Sequence, residues 1–254
     1  MDEKKWIEAL KDVKHILDGA GVKYWLEWGT LLGAVREGRI IPWDTDIDLG
    51  AMCSEADKLI RKIPELEQKG FKVDITDFRF IMFRKPVAIS IALYRIRGNK
   101  AWLLHCKKQP KFNSIMRYFS MLTDRILYKN LSSKSKMPLR ERIAFALIPG
   151  FADYAIRKFV FKVSEWLGEE YCAQVVPKSY FENLDSISFY GMTFNIPSHV
   201  HEYLSLWYGK NWMEPDPNWT YEYGTIDPSF DIGRREDLSI FNCLEEGNKN
   251  HKNL

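Results

Sequence analysis

Residues 40–50 read IIPWDTDIDLG, and no other stretch limits the possible folds as tightly. Asp44, Asp46 and Asp48 stand at every second position, with Ile47 and Leu49 in the alternate places. Such alternation marks a strand with one apolar and one polar face, on which residues i and i+2 lie about 6.6 Å apart along the chain. Ile47 and Leu49 are then expected to enter a core, and Asp46 and Asp48 to project side by side. Neighbouring carboxylates repel one another, so the arrangement calls for a positive partner. A hard divalent cation fits that need, because Mg²⁺ takes oxygen ligands, keeps several waters and shares one or two carboxylates with substrate phosphates. Two plainer readings compete. Aspartates in a polar loop are common, and Asp-x-Asp alone is a weak signal. A calcium-binding loop starting at Asp44 would place Glu55 at its last ligand position, but Leu49 then stands where the loop requires glycine.

The residues before the acidic stretch strengthen the catalytic reading. VKYWLEW (22–28) is rich in strand formers and ends at Gly29-Thr30, and LLGAVREG (31–38) reads as a short helix. A glycine at a strand-to-helix junction lets backbone approach a phosphate, and a hydroxyl with helix N-terminal N–H groups can bind it. Glycine-threonine, a short helix, then an apolar-flanked Asp-x-Asp on the next strand is the organisation of nucleotidyltransferases.

Along the chain, Trp6, Ile7, Leu10, Val13, Ile16 and Leu17 recur at helical spacing, with a stop at Gly19 or Gly21. Ser54 with Asp57 three residues on has the form of a helix start. FKVDITDFRFIMFRK (71–85) and PVAISIALYRIRGNKAWLLH (86–105) read as strands, with a turn at Arg97-Gly98-Asn99-Lys100. The expected architecture is therefore α+β: a nucleotidyltransferase-like mixed β-sheet flanked by helices over residues 1–105, with a basic helical insert over 106–175. Residues 176–244 are aromatic and Pro-rich and should pack on the core, and 245–254 form a polar, frayed tail.

The 37 Lys and Arg residues against 34 Asp and Glu give a net charge of +3, too small to argue for nucleic acid. The four cysteines, Cys53, Cys106, Cys172 and Cys243, are widely spaced, which suggests free thiols in a reducing compartment. The charged, amphipathic first residues carry no secretory signal, and no run is long and apolar enough to span a bilayer, so the expected address is the cytoplasm.

GTLLGAVREGRIIPWDTDIDLG (29–50) closely resembles the signature of the LicD family, which includes bacterial phosphocholine transferases and the fukutin-related proteins. FYGMTFNIPSHVHEYLSLWYGKNWMEPDPNW (189–219) resembles the family's C-terminal pattern more loosely: an apolar strand, a proline, a helix ending in Tyr-Gly, then tryptophans and prolines. The resemblance implies a metal-dependent transfer of a phospho-alcohol (phosphocholine, ribitol phosphate or glycerol phosphate) from a CDP-alcohol to a glycan or lipid-linked glycan. Gly29, Thr30 and Arg36 would bind donor phosphates. Asp46 and Asp48 would ligate Mg²⁺ or Mn²⁺, and Asp44 would support the metal or the acceptor. The chain departs from the family twice. Thr45 replaces a frequent aspartate, and Ser90 stands where a third carboxylate is expected on a later strand. Asp74 or Asp77, in the preceding FKVDITDF, is the candidate to take over that third position.

Lys107–Lys162 mixes basic and apolar residues. It reads either as amphipathic helices with a solvated face or as a surface resting on the inner face of an anionic membrane, which would suit a lipid-linked acceptor. His199 and His201 form a lone His-x-His with no cysteine to complete a zinc set. WYGKNWMEPDPNWTYEYG either lines a sugar or choline site or packs as a flap. Two further functions stay open: an NTP-dependent nucleotidyltransferase, and a donor- or glycan-binding pseudoenzyme, which the serine at position 90 motivates.

Overall fold

The structure is a computed structural model that describes residues 2–76, 78–108, 162, 170–217, 219, 225–227 and 229–232. Helix α1 (Glu3–Gly19) buries Trp6, Leu10, Val13, Ile16 and Leu17 of the stripe read from the sequence, with Ala9 in place of the half-buried Ile7. It ends where expected: Gly21 takes φ +62°, and the Val22 N–H closes back on the Leu17 carbonyl.

Strand β1 (Tyr24–Leu26) leads directly into helix α2 (Trp28–Arg36). The helix therefore begins before Gly29-Thr30, which lie in its first turn. Strand β2 (Ile47–Met52) follows, then a 3-10 turn at Cys53–Glu55 and two short helices, α3 (Ala56–Arg61) and α4 (Ile63–Gln68). The expected cap at Ser54 does not form. Ser54 lies inside the 3-10 turn, and no side chain caps α3.

The main sheet runs in the order β1-β2-β5-β6-β7-β10, with β4 also on β5 and β3 outside β4. Its members are β3 (Lys72–Ile75), β4 (Arg79–Arg84), β5 (Val87–Arg97), β6 (Lys100–Lys108), β7 (Glu170–Pro177) and β10 (Ile226–Asp227). The β2–β5 pair is parallel and the others are antiparallel, so the sheet is mixed. Long β5 pairs with β2 and β4 through its first part and with β6 through Arg95–Arg97. Ile47, Leu49, Ile89, Ile91, Phe80 and Met82 bury their side chains in a core shared with α1.

The sheet corrects the reading of residues 170–175 as helical. YCAQVV alternates on an extended ladder against β6, which supplies the partner its backbone needs. The remainder of the basic insert, apart from residues 106–108 and Lys162, lies outside the described residues. Cys53 is disulfide-bonded, which corrects the expectation of four free thiols.

The C-terminal part contributes the short helix α5 (Ser179–Glu182), the hairpin β8 (Asp185–Phe189)–β9 (Met192–Ile196) and helix α6 (Val200–Tyr208). Phe181, Phe189, Phe194 and Tyr203 join the main core. Among the described residues, no helix is long and apolar enough to cross a membrane.

Candidate active site

The β1–α2 junction and the start of β2 build the site together. The Glu27 N–H donates to the Asp48 carbonyl, and the Asp48 N–H donates to Thr30 Oγ1 at 2.9 Å. The first turn of α2 is thus fastened to Asp48, the third aspartate of the stretch. Thr30 is 2 % exposed and lies outside the wall of the adjoining cavity, so its hydroxyl fixes the Asp48 backbone.

Glu27 is fully buried and held on three sides. Trp25 Nε1 donates to Oε2 at 2.5 Å, Tyr203 Oη donates to Oε1 at 2.6 Å, and the Trp28 N–H also donates to the carboxylate, making Glu27 the cap of α2. Burial nevertheless pushes Glu27 up to about 7, against the pull of these donors. Gly50 has to be glycine here, because a Cβ would stand 2.8 Å from Glu27 Oε2 and closer still to the Trp25 indole.

The three aspartates of the opening stretch lie near enough at this junction to act on one another's charge. Asp48 is pushed up to about 7 by burial and then by the charge of Asp46, while the Ser90 hydroxyl and Arg79 pull it down. Asp44 rises to about 6 by burial and by the charge of Asp46. Burial also raises Asp46, opposed by the charge of Arg79. Gly29 leaves room for Asp44, since a Cβ there would lie 3.3 Å from the Asp44 Cγ and closer to Oδ2. The close approach that glycine permits at the start of α2 is therefore taken by a carboxylate of this chain.

A cavity of about 660 Å³ opens beside these groups. Gly29, Leu32 and Arg36 of α2 line it with Asp44, Asp48, Arg79, Gln174 and an aromatic wall of Trp28, Trp43, Trp207, Tyr208, Trp212 and Trp219. Arg36 is committed within the protein: Nη2 donates to Glu37 Oε1 at 2.7 Å and Nη1 to the Trp212 carbonyl at 3.4 Å. It ties α2 to the segment after α6 while still facing the cavity.

Asp74 does not come to this place. Its backbone aligns with Ile81, Ile81 with Ser90 and Ser90 with Asp48, so three strand spacings, about 14 Å, separate the two aspartates. The Asp74 carboxylate is paired with Lys72 Nζ at 3.1 Å. The third-carboxylate role expected for it is corrected on that geometry, and Asp77 lies outside the described residues. Among the described residues, no three His, Cys, Asp or Glu side chains converge as a metal cage. His199 starts α6 without capping it, and the His201 ring packs 5.5 Å from Trp212.

Reasoning from the sequence missed Glu27, Trp28 and Arg79. Glu27 and Trp28 lie in the strand-forming stretch 22–28, and Arg79 reads as one residue of an ordinary strand. The sheet register sets Arg79 opposite Ala92 and level with Gly50, on the face of Asp48 and two positions beyond it, where its charge acts on Asp46 and Asp48.

The site is thus a parallel strand pair with acidic residues at its edge, beside a short helix capped at the preceding junction. Residues 21–125 match the family model described as LicD/FKTN/FKRP, nucleotidyltransferase domain. The ribitol 5-phosphate transferase FKRP of Homo sapiens and that of Mus musculus are each 60% identical to the protein over 43 residues, 17% of this chain and 9% of theirs. An uncharacterized protein of Rickettsia prowazekii is 44% identical over 66 residues, 26% of this chain and 25% of the relative. The chain thus aligns with a quarter or less of the length of these relatives. A solved structure of ANT(2")-Ia with adenylyl-2"-tobramycin superposes with a TM-score of 0.31 at 15% identity, over 63% of this chain and 98% of the other.

Proposed function

We propose that this domain transfers a phospho-alcohol from a CDP-alcohol donor to a glycan hydroxyl. The observation that carries the proposal is the cavity, of the size that holds small ligands, with Asp44 and Asp48 on its wall inside the span that matches the LicD model. The FKRP relatives are ribitol 5-phosphate transferases, which supports a phospho-alcohol as the moving group.

Asp46 and Asp48 would hold Mg²⁺ or Mn²⁺. The donor set fits a hard cation, because burial and mutual repulsion raise the proton affinity of both carboxylates and an added positive charge relieves that. When bound, the ion supplies charge neutralisation on the donor diphosphate.

In the reaction the acceptor hydroxyl oxygen attacks the phosphorus bearing the alcohol. The bond from that phosphorus to the bridging oxygen breaks, and CMP leaves with the bridging oxygen. Asp44, which faces the cavity, takes the hydroxyl proton on its carboxylate. Glu27 and Thr30 hold the scaffold, and the aromatic wall excludes water. The acceptor is a glycan or lipid-linked glycan. The domain works in the cytoplasm.

Thermal unfolding against CDP-ribitol, CDP-choline, CDP-glycerol, CTP and ATP, with and without Mg²⁺ or Mn²⁺, tests this reading. A ligand at about 100 times its Kd adds roughly 2.7 kcal/mol. Metal-dependent stabilisation by one CDP-alcohol, followed by CMP release, is expected. Pyrophosphate release from an NTP would instead establish a nucleotidyltransferase. Ser90 supports a second reading, a binding protein without turnover, since a neutral hydroxyl faces Asp48 where a third carboxylate was expected. Donor binding with no CMP release would establish that one.

A further inference from the structure

Arg79 and Trp28 form a pair that the fold itself leaves incomplete. The Arg79 guanidinium lies over the Trp28 ring, 4.8 Å from its centroid. Both residues line the cavity beside Asp48. The Nε of Arg79 and the Nε1 of Trp28 are both buried, and neither makes a hydrogen bond within the protein. Two adjacent buried N–H donors without acceptors are uncommon, because each forgoes the hydrogen bond it had in water.

The pair is held in place despite this. Trp28 adopts φ +41°, a left-handed conformation that a bulky residue rarely takes. Non-glycine residues held in this region cluster at ligand sites. Its N–H is pinned by the Glu27 carboxylate, and its ring also meets Trp207 edge-on at 5.8 Å. Arg79 is positioned by β4, whose ladder sets it opposite Ala92. Its charge is felt by Asp46 and Asp48, yet among the described residues it forms no ion pair. A cation placed close to carboxylates but not joined to them keeps its hydrogen-bonding edge available to another anion.

We propose that Arg79 and the Trp28 indole N–H together bind the diphosphate of the donor. An arginine presents several N–H donors in a planar fork that matches phosphate oxygens, and the indole adds one more donor on the same wall. The ring beneath the guanidinium fixes its orientation, so little rotamer freedom is lost on binding. Asp46 and Asp48 with their cation would hold one side of the diphosphate and Arg79 the other. The assignment rests on the donor reading above and names further residues for it.

The test compares binding of CDP, cytidine and magnesium pyrophosphate to the wild-type chain, Arg79→Gln, Arg79→Lys and Trp28→Phe by calorimetry, with folding of each variant checked by circular dichroism. Arg79→Gln should weaken CDP and pyrophosphate about 10- to 100-fold, the range for hydrogen bonds to a charged group, and leave cytidine unchanged. Arg79→Lys should recover part of the loss, and Trp28→Phe should cost a few-fold. Unchanged CDP and pyrophosphate affinity in folded Arg79→Gln overturns the assignment, and so does an equal loss for cytidine. If Arg79→Gln does not fold, Trp28→Phe and Arg79→Lys decide on the same contrast. If the wild-type chain binds pyrophosphate but not CDP, the donor reading fails and pyrophosphate alone decides on Arg79. Binding of neither overturns both.

Discussion

Ser90 and Asp48 face each other across the parallel β2–β5 ladder, and the Ser90 hydroxyl donates to Asp48 Oδ1 at 2.7 Å. Residues aligned in a ladder share a face, so position 90 looks directly onto the acidic site. Ser90 stabilises the charged form of Asp48 without adding a charge. A carboxylate at this position would do the opposite until a cation arrives. We therefore expect Ser90→Asp to melt several degrees below wild type in EDTA, about 1–2 kcal/mol at roughly 2–4 °C per kcal/mol, and to regain more than that loss with Mg²⁺. A melting temperature indifferent to Mg²⁺ would show that position 90 does not reach the ion.

Asp48→Asn and Asp74→Asn should separate cleanly in a transfer assay. The first keeps an acceptor for the Ser90 hydroxyl and so should keep the fold, but it removes a metal ligand, with at least about a hundredfold loss of rate. The second breaks only the partly exposed pair with Lys72, three strands away, and should leave rate and melting temperature within error. A large rate loss in Asp74→Asn would mean that β3 reaches the site in a way its register does not indicate.

The metal-free chain should lose stability as pH rises from about 4 to about 7. Glu27 and Asp48 are pushed up to about 7 and Asp44 to about 6. Each folded group holds its proton in a range where the unfolded chain has released it, so the unfolded state binds fewer protons and the slope of stability against pH is negative. The effect is absent below the unfolded carboxylate range and complete above about 7. Urea midpoints at pH 5 and pH 8 check it. Mg²⁺ should flatten the slope contributed by Asp48, and Asp48→Asn should flatten it without metal.

Tyr203→Phe should cost about 1–3 kcal/mol, because it leaves one oxygen of buried Glu27 without the donor now at 2.6 Å. Gly50→Ala strikes the same junction from the other side, driving a methyl into the Trp25–Glu27 pair. It should cost at least as much, about 1–3 kcal/mol or more. Thermal unfolding measures both. If Tyr203→Phe melts like wild type, α6 does not depend on Glu27 for its place on α2.

The sequence by itself determined the local elements. Helical spacing in residues 6–17 gave α1, alternation around Ile47 and Leu49 gave the buried face of β2, and the Gly98 turn gave the β5–β6 hairpin, because short-range periodicity is written directly in residue order. It also marked Asp44, Asp46 and Asp48 and the strand-to-helix junction at Gly29, which together carry the LicD resemblance. What it could not set was which strands become neighbours. Register across β2, β5, β4 and β3 brought Ser90 onto Asp48, left Asp74 three strands away, and set Arg79, the first residue of β4, on the face of Asp48. Residues 170–175 became a strand only because β6 offered an unpaired ladder. Tyr203 reached Glu27 across 176 positions of chain. Such contacts depend on how the strands are ordered and aligned, and no local pattern in a single sequence records that, because each partner's composition is compatible with many alignments.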